Sequence, residues 1–410
     1  MAVIKPFRAL RPTKEKAHLV ASVPYDVVSR DEAMELASGN EFSLLRITRA
    51  EIDFDPSTNQ YSKEIYQKAK ANLDEIRKKA PLIKDDSQKF YLYRLVMGEQ
   101  KQIGIAATFS VDDYDNDVIL KHEKTRREKE DDRTNHILTT EAQTGPVFLT
   151  YKDRVKIDDA VSKIILTEPE YDFTAVDDVQ HTIWIVPEGY NELIISEIKS
   201  TDKIYIADGH HRAASASRAR TWRKENNPNH NGTEDYNFFI GVLFPAEQLK
   251  ILPYNRIVFD LNGLSESDFL NKVEENFVLS ETSSPSPDDA GNIGMYLNKK
   301  WYNLQPNENV KRTSNVGDNL DVSILQNYLL EPILGIDDPR TNKRVDFIGG
   351  IRGTTELEKL VDSGKAAAAF SMFPVSVKDL MRISDAGEIM PPKSTWFEPK
   401  LRDGLLIHLI

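Results

Sequence analysis

The chain of 410 residues is 40% apolar and contains no cysteine, which allows two or three domains with real cores and excludes disulfides and thiolate metal sites. A formal charge of −12 and a pI near 5.3 exclude a general nucleic-acid coat, or a protein whose main partner is an anionic membrane surface. No run approaches the ~18 apolar residues of a membrane span, and the start, MAVIKPFRAL, lacks the apolar core of a signal peptide, so the expectation is a soluble, cytoplasmic protein.

The first segment carries PFRALRP and then VPYDVVSRDE. Ser29 followed by Glu32 has the spacing of a reciprocal helix cap and predicts a short helix to Ala37. Arg8, Arg11, Tyr25 and Asp26 are candidates for a ligand cleft, with Arg8 and Tyr25 taken as substrate contacts; ordinary surface turns account for them equally well. The run FSLLRITRA at 42–50 reads as a strand, and 61–79 shows helical spacing of apolar residues. Residues 90–97 and 102–110 are strand-like runs joined by GEQK, a hairpin signal.

An extended run then ends at Lys121, His122 and Glu123, and a highly charged helix with Arg126, Arg127 and Arg133 begins near Thr125. Charge of this kind ordinarily marks a solvated helix. His122 and Glu123 are different, because a strand end before a helix is where α/β proteins often present catalytic groups. Two further strand–helix units follow, VFLTY with IDDAVSKII and HTIWIVP with EGYNELIISEI, and this alternation predicts a layered mixed α/β (α+β) architecture.

The densest chemistry lies at 203–220, KIYIADGHHRAASASRAR, an alternating strand that runs into an alanine-rich helix. Gly209 lets the backbone turn and approach a ligand, and the first amides of the helix favour an anion such as phosphate. A plain capped turn is one reading of this junction. A histidine-bound metal is another, although adjacent histidines seldom share an ion and no HExxH-like cluster accompanies them. The third is a phosphate-handling or acid–base centre, with Asp208 as Mg²⁺-phosphate anchor or base, His210 and His211 as donors, and Arg212 as charge clamp.

After a polar loop at 224–235, NFFIGVLFP and LKILPYNRIVFDL read as strands, and ETSSPSPDDAGN as a linker that places a boundary within 260–290. The tail predicts a hairpin (IGMYLN, WYNL), a helix (DVSILQNYLLEPIL) and a strand near VDFIGG. In MPPKSTWFEPKLRDGLLI, Lys393 beside Ser394 and Thr395 is a candidate phosphate contact, and a structural loop explains them as well.

Five blocks taken together, PFRALRP, VPYDVVS, KHEKT, ADGHHRAA and MPPKSTWFEPKLRDGLL, resemble domain-of-unknown-function family 1015 over nearly the whole chain. The DGHHR block is also similar to the corresponding segment of free serine kinases of the ParB/sulfiredoxin-like fold. That resemblance implies a nucleotide-binding core at 111–260, flanked by an N-terminal α/β segment at 1–110 and a C-terminal α/β domain at 261–410. It implies catalytic roles for Glu123, Asp208 and His211, with Glu123 as the base on a substrate hydroxyl. Gly209, His210 and Arg212 would bind nucleotide phosphates, His122 and Arg126 the substrate, and Asp208 a Mg²⁺ ion directly or through water. The implied function is phosphorylation of free serine or a similar small hydroxylated metabolite with ATP or ADP and Mg²⁺. A ParB-like nucleotide-binding regulatory or DNA-associated module and a nucleotide or phosphoester hydrolase are the alternatives. The partners expected are nucleotide and small molecule, with no membrane, nucleic acid disfavoured and homo-oligomerisation left open.

Overall fold

The computed structural model describes residues 1–79 and 82–410. They form two compact units, one of Met1–Lys121, Thr125–Leu249 and Pro399–Ile410, the other of His122–Lys124 and Lys250–Glu398. The units interleave along the chain.

In chain order the first unit contains β1 (Ile4–Lys5), α1 (Lys63–Lys79), β2 (Tyr91–Met97), β3 (Gln100–Ser110), β4 (Ile119–Leu120), α2 (Arg127–Thr140), β5 (Val147–Tyr151) and α3 (Val155–Ile164). It continues with β6 (Tyr171–Thr174), β7 (Gln180–Ile185), α4 (Asn191–Lys199), β8 (Ile204–Asp208), α5 (His210–Glu225) and β9 (Phe238–Pro245). The strands build one mixed nine-stranded sheet in the order β4-β8-β5-β9-β3-β2-β7-β6, with β1 on β3. β8 runs parallel to β4, and β9 parallel to β5; the other pairings are antiparallel.

Central strands are buried along almost their whole length, as in β9, which is why their sequences read as continuous apolar runs rather than alternating ones. Helices α3, α4 and α5 add Ile157, Ile164, Ile194, Ile198, Ala213 and Ala216 to the same core. The cap foreseen at Ser29 is present: its hydroxyl accepts the Glu32 N–H at 3.2 Å and the Glu32 carboxylate accepts the Ser29 N–H at 2.7 Å.

The strand expected at 42–50 is instead helical, with an α-turn at Leu45–Thr48 and a 3-10 turn at Ala50–Asp53. Leu44, Leu45 and Ile47 are fully buried, Leu44 and Ile47 in a cluster with Ile65, Ala69 and Leu73 of α1. Burying each such side chain contributes roughly 1.5–3 kcal/mol, while the helix propensities of Ile and Thr differ from Leu by only a few tenths of a kcal/mol. Packing therefore decides the conformation, and propensity does not.

The second unit is built on a six-stranded antiparallel sheet of β10 (Tyr254–Val258), β11 (Phe277–Thr282), β12 (Ile293–Leu297), β13 (Lys300–Pro306), β14 (Val345–Gly349) and β15 (Ala368–Met372). Its order is β11-β13-β12-β15-β10-β14. The predicted hairpin is β12–β13, turning through Asn298 and Lys299 at positive φ. The helix predicted at 321–334 begins as an α-turn, Asp321–Leu325, and then widens into a π-turn, Gln326–Leu330.

Candidate functional site

Within the first unit, β8 ends at Asp208 and α5 begins at His210, leaving Gly209 to reverse the chain at φ 91° and ψ 29°. An L side chain is strained there. Gly209 also passes close to β5, since a Cβ on it would lie 3.5 Å from the Val147 backbone. The 16-residue α5 thus points its first-turn amides and positive dipole end toward the end of β8 that carries the acid.

Two further residues reach this junction from the last stretch of the chain. Lys400 Nζ donates to Asp208 Oδ2 at 2.6 Å, and the Gly209 N–H donates to Asp208 Oδ1 at 2.7 Å. Burial pushes the Asp208 carboxyl up, but Lys400, Arg212 and the Gly209 amide outweigh it and hold the group well below the ordinary carboxylate range. Its side chain is nonetheless 41% exposed, so an ionised oxygen remains within reach of solvent or ligand.

Arg212 leaves the first turn of α5 and closes on Asp403, with N–H···O distances of 2.7 and 3.3 Å and a weaker bond of 3.4 Å to the Pro146 carbonyl. The pair is deeply buried, with side chains 13% and 2% exposed. Gly145 makes room for it: a methyl at that position would overlap the Arg212 guanidinium and the Asp403 carboxylate. The guanidinium lies 5.6 Å from the centre of the Tyr25 ring, which the Arg133 guanidinium approaches to 4.2 Å. Tyr25, Arg133, Gly145, Arg212 and Asp403 line a cavity of about 40 Å³, room for an ordered water or two.

The histidines differ in surroundings. His210 is buried, and burial, helped by His211 and Lys121, outweighs the pull of Asp208 and lowers its pKa to about 4, so it is neutral at pH 7. His211 Nε2 accepts the backbone N–H of Arg126 at 3.0 Å, which puts the proton of its neutral form on Nδ1. The structure therefore brings Asp208, Gly209, His210, His211, Arg212, Tyr25 and the backbone of Arg126 together in one unit. The Arg126 side chain itself is exposed.

Of the remaining expected residues, Arg8 belongs to the first unit, and His122, Glu123, Lys393, Ser394 and Thr395 belong to the second. Arg8 donates to the Asp85 carbonyl at 2.8 Å, in the segment before β2. His122 and Glu123 pack with the second unit, where the buried His122 accepts the Met390 N–H on its carbonyl at 2.8 Å. Lys393, Ser394 and Thr395 also belong to that unit: the Ser394 hydroxyl donates to the Pro391 carbonyl at 2.7 Å, and the Lys393 ammonium lies 5.3 Å from the centre of the Tyr254 ring. Asp403 and Gly145 were not singled out from sequence. Asp403 sits in the KLRDG block, where the pairing of an acid with a distant arginine leaves no local pattern, and Gly145 precedes a proline and reads as an ordinary turn.

The arrangement offers an ionised Asp208 paired with Lys400, an Arg212 paired with Asp403 and a helix N-terminus around one junction, groups able to meet phosphate oxygens and a hard cation brought with them. Among the described residues no group of three or more His, Asp or Glu side chains is placed to hold a metal by itself, and no helix is long and apolar enough to cross a membrane.

Among known proteins, the model of a family described as protein of unknown function (DUF1015) matches residues 4–323. No curated protein matches. Among solved structures, a conserved hypothetical protein from Pyrococcus furiosus aligns at 12% identity and a TM-score of 0.37, covering 75% of this chain and 95% of that one. A free serine kinase mutant in complex with ADP aligns at 10% identity and a TM-score of 0.38, covering 74% and 92%. SbnI with a C-terminal truncation, from Staphylococcus aureus, aligns at 12% identity and a TM-score of 0.38, covering 74% and 87%. At such scores no activity is carried from these proteins to this chain.

Proposed function

Since this chain belongs to the DUF1015 family of proteins of unknown function, its activity has to be read from its own residues, and we propose that it is a nucleotide-dependent kinase acting on the hydroxyl of free serine or a similar small metabolite. In this reading the core of the first unit is ParB/sulfiredoxin-like. The observation that supports it most is the β8–α5 junction, where an exposed, ionised Asp208 is held by Lys400 at 2.6 Å beside the first turn of a helix.

Phosphoryl transfer asks little covalent chemistry of a protein; it needs an aligned acceptor, a group to take its proton, and positive charge around the moving phosphate. The α5 amides, Lys400 and Arg212 supply that charge, and Asp403 keeps Arg212 at a fixed angle. Neutral His210, and His211 through its Nδ1–H, donate to phosphate oxygens. Mg²⁺ accompanying the nucleotide would be met by Asp208, directly or through water, and would further neutralise the phosphates. The acceptor oxygen forms a bond to the terminal phosphorus of ATP or ADP as the bond to the bridging oxygen breaks. The shortened nucleotide leaves, and the hydroxyl proton passes to Glu123, the base in KHEKT.

Purified protein with nucleotide, Mg²⁺ and serine should yield phosphoserine, and Asp208→Ala or Glu123→Ala should each abolish it. Product formation that survives both changes would overturn the assignment. Phosphate release with no acceptor present would instead select a hydrolase built on the same residues.

A further inference from the structure

The second unit holds a cavity of about 250 Å³, lined by Arg256, Gln326, Asp337, Phe347, Pro391 and Pro392 among others. That is the volume of roughly eight waters at ~30 Å³ each. Arg256 lies on β10 between β14 and β15 and is 3% exposed. Its guanidinium donates to the carbonyls of Tyr254 and, at 3.1 Å, Lys393, and sits 5.4 Å from the centre of the Phe347 ring. Among the described residues no carboxylate pairs with it. Carbonyls satisfy hydrogen bonds but do not neutralise charge, so a buried cation is left without an anion. Burial lowers its pKa to about 10, which still leaves it charged at neutral pH.

An orphaned acceptor lines the same cavity. Gln326 opens the π-turn Gln326–Leu330, and its Nε2 donates to the carbonyls of Ile336 at 2.7 Å and Asp337 at 3.3 Å. Those two bonds fix the amide so that Oε1 is the acceptor, and that oxygen is buried with no hydrogen-bond partner. π-turns of this kind recur at functional sites because they redirect one side chain at the expense of regular helix. The Asp337 carboxylate adds negative charge, while that of Asp338 is engaged by Arg340 at 2.8–3.2 Å.

We propose that this cavity binds a free α-amino acid, its carboxylate on Arg256 and its ammonium on Gln326 Oε1 and Asp337. A simple anion would answer Arg256 but leave the glutamine oxygen without a donor and face the Asp337 charge; a simple cation would face Arg256. Only a ligand carrying both groups satisfies both ends. Phe347, Leu330, Val322 and the two prolines leave apolar wall for a small side chain. The prolines of the MPPKST motif thereby acquire a role that phosphate binding did not give them, and the Lys393 carbonyl orients the anchoring arginine.

The test is isothermal titration calorimetry of the full chain, without nucleotide, against L-alanine, propionate and ethylamine. L-alanine has no hydroxyl to phosphorylate, so the outcome is independent of the kinase reading. L-alanine should bind, and each comparator, lacking one charged group, should bind at least about tenfold more weakly. Arg256→Gln should abolish binding. Should that variant fail to fold, Asp337→Asn, at an exposed carboxylate, and Gln326→Met should each weaken L-alanine about tenfold while leaving nucleotide binding unchanged. Propionate binding as tightly as L-alanine, Asp337→Asn and Gln326→Met without effect, or no heat from L-alanine at about 100 times the concentration giving half-saturation of a typical micromolar site, would overturn the proposal.

Discussion

Replacing Asp403 by alanine removes the carboxylate hydrogen-bonded to Arg212 and leaves a guanidinium 13% exposed, with the Pro146 carbonyl at 3.4 Å, the Tyr25 ring and the more distant charge of Asp26 around it. Breaking a buried ion pair on one side costs about 3–5 kcal/mol, because the surviving charge stays desolvated. At roughly 2–4 °C per kcal/mol for a unit of this size, the melting temperature should fall by about 6–20 °C. The double variant Arg212→Met with Asp403→Leu should recover most of that loss, since no buried charge is left unmatched, yet should not regain phosphoryl transfer. Differential scanning calorimetry of the two single variants and the double variant closes the cycle. A shift below 2 °C for Asp403→Ala, or a double variant as unstable as the sum of the singles, would refute the idea that this pair is held together by mutual neutralisation.

Gly145→Ala should destabilise by about 1–3 kcal/mol, as overpacking of a tight site does, and should weaken nucleotide binding, because the added methyl meets the Arg212–Asp403 pair; unchanged denaturant midpoints would contradict this. Lys400→Met removes the nearest cation to Asp208, so the carboxyl pKa rises and the acid limb of the kcat/KM profile should move toward neutral pH by about one unit or more. The same pair contributes to stability above the unfolded carboxylate pKa of about 4 and loses that contribution as pH falls through the lower folded value, so in strong acid wild type and variant should converge. His210 has a folded pKa of about 4, below its unfolded value, so the unfolded chain binds more protons and stability should fall as pH drops from about 6.5. His210→Asn should flatten that slope by on the order of 3 kcal/mol across the range, and an unaltered slope would refute the assignment of His210 as buried and neutral.

Much of the fold could be read from local pattern. The hairpin β2–β3, the strand β8 and the helix α5 carry their own turn and periodicity signals, and the Ser29 cap is written in four residues. The segment 42–50 misled because its β-branched and leucine content is compatible with either state, and contacts with α1 choose the helix. The candidate site divides the same way. Asp208 to Arg212 are contiguous and announce themselves, whereas Lys400 and Asp403 lie 192 and 191 positions from the residues they bind. Charge complementarity at such separation leaves no trace in spacing. Arg256 shows the converse: one arginine in a strand-like run looks unremarkable until it is seen bonded only to carbonyls, with no carboxylate partner among the described residues.

The claim that the β8–α5 junction is a phosphoryl-transfer centre is tested most directly by mass spectrometry of reactions containing the protein, Mg²⁺, ATP or ADP and serine. Phosphoserine should appear only with nucleotide and acceptor together, and should vanish with Asp208→Ala in a protein that still melts cooperatively. Equal product from that variant, or none from the wild type across a panel of small hydroxylated metabolites, would contradict it.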